Sequence, residues 1–309
     1  MNKSILVFAL AAVFAVACVA GDAEPGVADV AYIAEIEEWR AGRLERLKAK
    51  NGYLNLAGLF WLEDIVSSFG SDEQNDLRFP PKAAANIGVF ELTNDGVLMI
   101  VLAEADVRLD GERVESLLMH DGTTAAPQTV TSGSLAWVAI NRDGKIGIRL
   151  RDFNHPALEA FPPIPYFDIN TDLRVEATLE LFDEPRIMNV GTVIEGVGYN
   201  PMSPGVLAFE IDGESFELEA YASGENLFFV FGDQTSGRET YGAGRFVYTT
   251  WPEEGSTTVL DFNKSYNPPC AFGDFSTCPV ASPQNRLPIR IEAGEKFVPE
   301  LHVTSMTEY

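Results

Sequence analysis

The spacing of apolar residues changes once along this chain, near residue 52. From Asp29 to Lys50, apolar side chains recur every three or four positions, which is the period of an amphipathic helix. Asp29 can cap the start of this helix, and Asn51-Gly52 suits the left-handed backbone at its end. The pattern predicts one N-terminal helix with a buried apolar face and a solvated charged face. The apolar positions are Ile33, Ile36, Trp39, Leu44 and Leu47, and the charged positions are Glu35, Glu38, Arg40, Arg43, Glu45 and Arg46.

Beyond Gly52, short runs of alternating or β-branched residues are separated by tight turn signals. Asn94-Asp95-Gly96, Asp110-Gly111, Asp143-Gly144 and Asp212-Gly213 each divide two such runs, which is the strongest hairpin signal that a sequence carries. Many short strands with one helix predict a mainly β protein, an antiparallel barrel or sandwich with an N-terminal helix. Further strands are expected at Leu173 to Phe182, Leu227 to Phe231, Arg245 to Thr250, Thr257 to Phe262 and Pro288 to Glu292.

The segment from Arg151 to Asp172 follows neither period and contains four prolines. An irregular stretch of this length inside a domain is usually a functional loop or a linker. We therefore expect residues 29–309 to form one β-rich domain, with 151–172 as the place where two subdomains would divide.

The charge of the chain limits its partners. Among 309 residues, 46 are acidic and 22 are basic, so the formal net charge is -24. A strongly negative surface repels phosphate backbones and anionic headgroups, which excludes nucleic acid and an electrostatic membrane surface as expected partners. A small molecule or an envelope component remains as the expected partner, and no cofactor is indicated.

The first residues are typical of an export signal. Lys3 is followed by an uncharged run from Ser4 to Ala17 that is too short for an ordinary spanning helix. Phe14 to Cys18 resembles a bacterial lipobox, in which Cys18 would become the lipidated first residue. We expect a signal peptide at 1–17 and a tether at 18–28. The protein would then be a lipoprotein of the bacterial cell envelope, periplasmic or in the outer membrane, and simple secretion is the alternative.

The cysteine count agrees with export. The chain has three cysteines, and lipidation of Cys18 would leave Cys270 and Cys278 as one pair. An oxidising envelope permits a disulfide between them. Such a bridge would restrict the short loop between the two residues.

The last third of the chain carries recognisable blocks. It resembles a bacterial and archaeal family of uncharacterised proteins, domain of unknown function 1684, and a weaker match extends over 52–62, 70–71 and 151–152. The resemblance implies membership of that family and no activity. Its blocks are Asp233, Thr235, Glu239 to Gly242, Gly244 to Phe246, Asp261 to Asn263, Tyr266 to Cys270, Cys278-Pro279, Asn285 to Leu287 and Ala293 to Lys296.

Within these blocks, the loop from Asp261 to Pro279 is the expected site. Pro268 and Pro269 restrict its backbone, and rigid loops can hold polar side chains in place before a ligand arrives. The candidate ligand-binding residues are Tyr241, Arg245, Asn263, Tyr266, Asn267, Asn285 and Arg286.

Four chemistries compete for this region. Carboxylates such as Asp261 and Glu239 would support a hydrolase acting on an envelope or extracellular substrate. A cysteine thiol activated by His155 has less support because two nearby cysteines in an exported chain more often form a disulfide. A transition-metal site has less support because no matching ligand spacing occurs. Arginines could bind a carboxylate or phosphate, or could instead clamp the fold, with Arg245 paired to Asp261 and Arg151 to Asp152 or Asp168.

No familiar catalytic signature decides between these chemistries. The chain lacks a GxSxG elbow, a phosphate-binding GxxxxGK[ST] loop and a dinucleotide-binding GxGxxG. Whether it is an enzyme therefore stays open. A binding protein with its site in the C-terminal loops is the favoured interpretation, and a carboxylate-dependent hydrolase is the alternative.

Overall fold

The structure is a computed structural model that describes residues 27–123 and 125–303. The expected signal peptide at 1–17, Cys18 and most of the expected tether lie outside these residues. Within the described part of the chain, no helix is both long and apolar enough to cross a membrane.

The N-terminal helix α1 covers Val27–Lys48, two residues earlier at each end than the pattern predicted. Ile36 and Leu47 are fully buried, in agreement with the predicted apolar face. Gly52 follows the helix because its backbone passes so close to the Leu47 carbonyl that a Cβ would lie 2.2 Å from that oxygen. Arg43, expected on the solvated face, is instead buried with 7% of its surface exposed.

The first half of the chain folds into two sheets packed around one apolar core. The six-stranded sheet has the order β1-β11-β10-β9-β6-β7 and the five-stranded sheet the order β3-β2-β4-β5-β8. Phe69, Phe79, Phe90 and Trp137 fill the core. The strands are β1 (Leu56–Trp61), β2 (Val66–Gly70), β3 (Leu77–Arg78), β4 (Gly88–Thr93), β5 (Gly96–Val101), β6 (Arg108–Leu109), β7 (Glu112–Arg113), β8 (Ser116–Met119), β9 (Val130–Ser132), β10 (Leu135–Arg142) and β11 (Lys145–Asp152).

The second half contains a short helix and three further sheets. Their orders are β16-β15-β12-β20, β17-β18-β19 and β13-β14. A second core contains Phe229, Phe231 and Phe262. The elements are α2 (Ala157–Ala160), β12 (Arg174–Ile187), β13 (Val190–Gly191), β14 (Gly198–Tyr199), β15 (Met202–Ile211), β16 (Glu214–Glu219), β17 (Tyr221–Ser223), β18 (Asn226–Phe231), β19 (Arg245–Thr250) and β20 (Thr258–Asp261). Short 3-10 turns cover Thr171–Leu173, Phe262–Lys264, Pro269–Ala271, Pro283–Asn285 and Pro299–Leu301.

The predicted fold class is confirmed. Strands contain 42% of the residues and helices 14%, and the sheets are mainly antiparallel. Among the described residues no sheet closes into a barrel, so the architecture is sandwich-like. All four predicted hairpins form, and Asp110, Asp143 and Asp212 adopt φ values of 50° to 55° at their turns. Aspartate and the glycine after it tolerate this backbone better than other residues.

One predicted strand is absent. Residues 288–292 form no ladder, and two of their carbonyl groups accept hydrogen bonds from distant side chains. The Ile291 carbonyl accepts from Arg245, and the Pro288 carbonyl accepts from Gln234. The other predicted strands are present, and the first of them extends to Ile187 within β12.

Candidate functional site

The loop expected to carry the site is held by its two cysteines. The Cα atoms of Cys270 and Cys278 are 6.1 Å apart and their sulfur atoms face each other, a geometry that admits the expected disulfide. Each backbone N–H also points to the sulfur of the other cysteine, at 3.2 and 3.3 Å. The two ends of the loop are therefore held together.

Arg245, a candidate ligand-binding residue, lies fully buried inside the second half. Its guanidinium donates to Asp233 at 2.8 Å and to the carbonyl groups of Ile291 and Ala293. The ion pair with Asp261 that was expected as the structural alternative is not formed; Asp233 takes that place. Arg151 likewise donates to the Gly52 carbonyl and to Asn55 Oδ1, rather than to an aspartate.

The three candidate asparagines are also fully buried and bonded within the protein. Asn263 donates to the Asn170 carbonyl at 2.7 Å, and Asn267 donates to the Lys296 carbonyl at 2.9 Å. Asn285 donates to the carbonyl groups of Glu219 and Val230. These amides join loops that are distant in sequence, and they hold the loops in place.

The two candidate catalytic carboxylates do not share a site. Asp261 is 5% exposed and accepts hydrogen bonds from the Tyr32 hydroxyl at 2.9 Å and the Asn263 N–H at 3.0 Å. Glu239 lies at the surface in a 2.6 Å ion pair with Arg290. Among the described residues, no three His, Cys, Asp or Glu side chains are arranged to hold a metal ion.

The remaining candidates lie in different places. The Tyr241 hydroxyl donates to the Cys270 carbonyl at 3.2 Å, and Arg286 borders a shallow depression beside β16. Tyr266 and Cys278 line a cavity of about 650 Å³, which is a suitable size for a small ligand.

Several parts of the chain line this cavity. They are helix α1 and the turn after it, the β10–β11 hairpin, strands β14, β18 and β19, and the loop around the cysteine pair. The lining residues are Trp39, Arg43, Arg46, Tyr53, Arg142, Arg149, Gly198, Tyr199, Phe228, Phe246, Tyr248, Tyr266, Pro269, Ser276, Thr277, Cys278 and Pro279.

Arg149 reaches the cavity because of strand alternation. Its neighbours Ile148 and Leu150 point into the first core, so Arg149 points to the opposite face of β11. Only 9% of its surface is exposed. Among the described residues no carboxylate lies within ion-pair distance, and its Nε atom has no hydrogen-bond acceptor.

The charge of Arg149 persists at neutral pH despite this environment. Burial and then the nearby charge of Arg142 lower the pKa of Arg149 to about 10. A group with this pKa is protonated at pH 7. The cavity therefore contains a buried positive charge that the protein itself does not neutralise.

The other three arginines line the same cavity in different ways. Arg142 donates from Nε to the Thr277 hydroxyl at 3.2 Å, and exposed Arg46 lies 6.0 Å from the Trp39 ring at the cavity rim. Arg43 is neutralised by Glu295 at 2.9 Å. The lining, as far as the structure describes it, contains no aspartate, glutamate, histidine or lysine.

Aromatic rings form the wall beside these charges. Tyr266 stacks nearly parallel to Tyr248 with ring centroids 6.4 Å apart, and Trp39 lies 6.2 Å from Tyr266 on another side. Backbone bonds between Phe246 and Tyr266, at 2.8 and 2.9 Å, hold this tyrosine against β19. Burial raises the pKa of Tyr266, so its phenol stays neutral and can donate a hydrogen bond.

Two hydroxyl groups complete the polar side of the cavity. Ser276 is 3% exposed, and its Oγ atom has no hydrogen-bond partner among the described residues. Thr277 accepts from Arg142, which leaves its own O–H proton for another acceptor. Both residues lie inside the loop that Cys270 and Cys278 close.

Of the seven candidate ligand-binding residues, only Tyr266 lines the cavity, and most of the lining residues were not among the candidates. Trp39 and Arg46 were assigned to the two faces of a surface helix, and Arg142 was not considered. Arg149 was not among the candidate ligand-binding residues.

The second half of the chain matches a known protein family. The family described as "Protein of unknown function (DUF1684)" matches residues 159–296. A solution NMR structure of an uncharacterised protein from Haloarcula marismortui is 33% identical, over 44% of this chain and 77% of the other, with a TM-score of 0.37. The comparison with curated proteins found no match.

Proposed function

Because the chain belongs to the DUF1684 family of proteins of unknown function, its own cavity has to indicate its role, and we propose that it binds a small organic anion. The ligand would occupy the cavity of about 650 Å³ between α1, the β10–β11 hairpin and the cysteine-closed loop. Tyr266 is the residue of the predicted site that contributes most directly to this cavity.

The buried charge of Arg149 carries this proposal. Removing a guanidinium from water without an acidic partner opposes folding, so such groups are rare in structural roles. The chain has 24 more acidic than basic residues. Nevertheless, no carboxylate of the described residues lies within ion-pair distance of Arg149. A bound anion would supply the missing partner through charge-assisted hydrogen bonds to the buried guanidinium.

The site is also built to hold its groups before the ligand arrives. Arg149 lies within an antiparallel ladder, opposite Leu59 and Val138, and Arg142 ends the adjacent strand. The loop with Ser276 and Thr277 is closed by the cysteine pair. Preorganised donors lose little conformational entropy on binding, which favours affinity.

Binding has more support than hydrolysis. A hydrolase of the expected kind needs a carboxylate or histidine within reach of the substrate to accept a proton. The described lining has neither, and Asp261 and Glu239 lie outside it. We therefore propose a binding role and keep the carboxylate-dependent hydrolase as the less supported hypothesis.

We further propose that the protein acts in the cell envelope. The N-terminal run before Cys18 supports export and lipid attachment, and the facing cysteines suit an oxidising compartment. Expression of the full chain and of the Cys18→Ser variant in a bacterial host tests this. Wild type should fractionate with membranes and carry a lipid on its N-terminal cysteine by mass spectrometry, and the variant should not; equal fractionation of both would overturn lipid attachment.

The anion proposal is tested with two probes that share a ring and differ in charge. Benzoate and benzylamine are titrated calorimetrically into wild type, Arg149→Met and Arg78→Met. Arg78 is an exposed arginine on β3, so its variant loses the same charge away from the cavity. We expect benzoate to bind more tightly than benzylamine, and Arg149→Met to lower benzoate affinity at least tenfold while Arg78→Met changes it by less than twofold.

Two results would overturn the proposal. The first is equal or tighter binding of benzylamine, and the second is unchanged benzoate affinity in a folded Arg149→Met protein. Thermal unfolding of each variant establishes that it is folded.

A further inference from the structure

We propose that the ligand is a phosphate monoester joined to a planar ring, with the phosphate between Arg142, Arg149 and Ser276 and the ring against Trp39 and Tyr266. This inference rests on the proposed function and specifies the chemical class of the anion. Three properties of the cavity support it: the number of unneutralised charges, the number of free donors and the aromatic wall.

The first property is charge. Arg43 is neutralised by Glu295, but Arg142 and Arg149 inside the cavity and Arg46 at its rim have no acidic partner among the described residues. A carboxylate has one negative charge and would leave at least one of the two inner guanidiniums without a partner. A phosphate monoester carries close to two negative charges at neutral pH and matches them.

The second property is the set of donors. Arg149 Nε and the Ser276 hydroxyl are buried without partners, and Thr277 keeps its proton after accepting from Arg142. Guanidinium groups bind phosphate oxygens in pairs, and hydroxyl groups add single hydrogen bonds. Three terminal phosphate oxygens can accept from all these donors, whereas the two oxygens of a carboxylate are fewer than the donors provided.

The third property is the ring surface. Trp39 and Tyr266 lie 6.2 Å apart at an interplanar angle of 51°, so they form two sides of a corner. The parallel rings of Tyr248 and Tyr266 are 6.4 Å apart, which is too close to admit a ring between them. A ligand ring therefore packs against the exposed side of this wall, where stacking favours a planar group.

The test compares phenyl phosphate, inorganic phosphate and benzoate by titration calorimetry on the full-length protein. We expect phenyl phosphate to bind at least tenfold more tightly than benzoate at pH 7.5, and at least tenfold more tightly than inorganic phosphate. Its affinity should rise about tenfold between pH 5 and pH 7.5, because the second phosphate proton is lost near pH 6. Benzoate is ionised throughout this range and should show no such rise.

Two variants test which cavity residues contact the phosphate and which contact the ring of the ligand. Ser276→Ala should weaken phenyl phosphate at least threefold more than it weakens benzoate, because the extra donor serves the third oxygen. Trp39→Leu should weaken phenyl phosphate at least fivefold and leave inorganic phosphate unchanged. Both side chains line the cavity, and thermal unfolding verifies that each variant is folded.

The outcomes separate this inference from the function on which it rests. Equal affinity for benzoate and phenyl phosphate, or the absence of a pH dependence, would overturn the phosphate assignment and leave anion binding in place. Inorganic phosphate binding as tightly as phenyl phosphate would overturn the ring assignment alone. If neither anion binds wild type, both proposals are overturned together.

Discussion

Arg43 of helix α1 donates from Nε to Oε1 of Glu295 at 2.9 Å, across 252 residues of sequence. The same guanidinium donates to the Asn267 carbonyl at 2.9 Å and lies over the Tyr266 ring at 4.5 Å. Glu295 in turn accepts from the Asn267 N–H at 2.7 Å. This buried pair attaches the N-terminal helix to the loop that supplies Tyr266 to the cavity.

Replacement of Arg43 is expected to destabilise the fold strongly. Arg43→Met should lower the free energy of unfolding by about 3–5 kcal/mol, because it leaves the buried carboxylate of Glu295 without its partner. Arg46→Met on the same helix should change it by less than about 0.5 kcal/mol, because Arg46 is exposed. Chemical denaturation at pH 8 measures both values.

The pH dependence of the Arg43→Met cost has a definite sign. Burial already raises the pKa of Glu295, and a carboxyl group with a raised folded-state pKa opposes folding above its unfolded-state pKa. The cost should therefore be largest at pH 8 and shrink towards pH 5. Adding Glu295→Gln to Arg43→Met should recover a large part of the lost free energy of unfolding. If the losses of the two single variants instead add up in the double variant, a direct pair between Arg43 and Glu295 is contradicted.

Arg149 is expected to behave in the opposite way. Its pKa is lowered by burial, so its protonated form opposes folding at neutral pH. Arg149→Met should raise the free energy of unfolding by about 1–3 kcal/mol, or several degrees in melting temperature, in the absence of ligand. Thermal unfolding in an anion-poor buffer measures this.

Arg245→Met provides the matched comparison for Arg149→Met. Both arginines are buried on strands, but Arg245 is paired with Asp233 at 2.8 Å. Its replacement should lower stability by about 3–5 kcal/mol, because Asp233 would remain buried and unpaired. A similar loss in Arg149→Met would indicate that Arg149 has a structural partner and would contradict the cavity interpretation.

Ligand affinity should depend on pH at the alkaline end. The pKa of Arg149 in the free protein is about 10, and a bound anion favours the protonated form. Affinity for benzoate should therefore be constant from pH 7 to pH 9 and fall about tenfold per unit above pH 10. Titrations across this range, with circular dichroism to verify folding at each pH, measure the effect; constant affinity to pH 11 would exclude Arg149 as the binding charge.

Opening the cysteine-closed loop should affect binding more than folding. Replacing Cys270 and Cys278 together with alanine removes a loop closure that stabilises the fold by about 2–3 kcal/mol, and it frees Ser276 and Thr277. We expect anion affinity to fall at least fivefold while the protein stays folded at 25 °C. Dithiothreitol should reproduce the loss in wild type and have no effect on the double variant, and unchanged affinity would show that the closed loop is not needed.

Local signals in the sequence were sufficient to predict most secondary structure. The Asp-Gly turns specified hairpins because few other residues adopt their backbone conformation. The apolar spacing correctly predicted that Ile36 and Leu47 are buried, but it also placed Ile33, which is 39% exposed, on that face. Residues 288–292 were predicted wrongly as a strand, because the demand of Arg245 for carbonyl acceptors is invisible in a local pattern.

The candidate site depended on longer distances than such patterns cover. Arg43 resembles any exposed helix arginine until Glu295 is placed beside it. The buried asparagines of the C-terminal loops read as ligand-binding groups, yet they bond to distant backbone carbonyls. Family resemblance marked these loops without distinguishing residues that hold the loops from residues that face the cavity.

The sequence by itself determined the mainly β class, the N-terminal helix and the hairpins, because each depends on neighbours within a few residues. The tertiary structure alone decided that Arg142 and Arg149 face Trp39 and Tyr266 across one cavity, and that Arg245 does not. Burial and pairing of a charge depend on which distant segments pack around it, and the spacing of residues along one strand does not specify those segments.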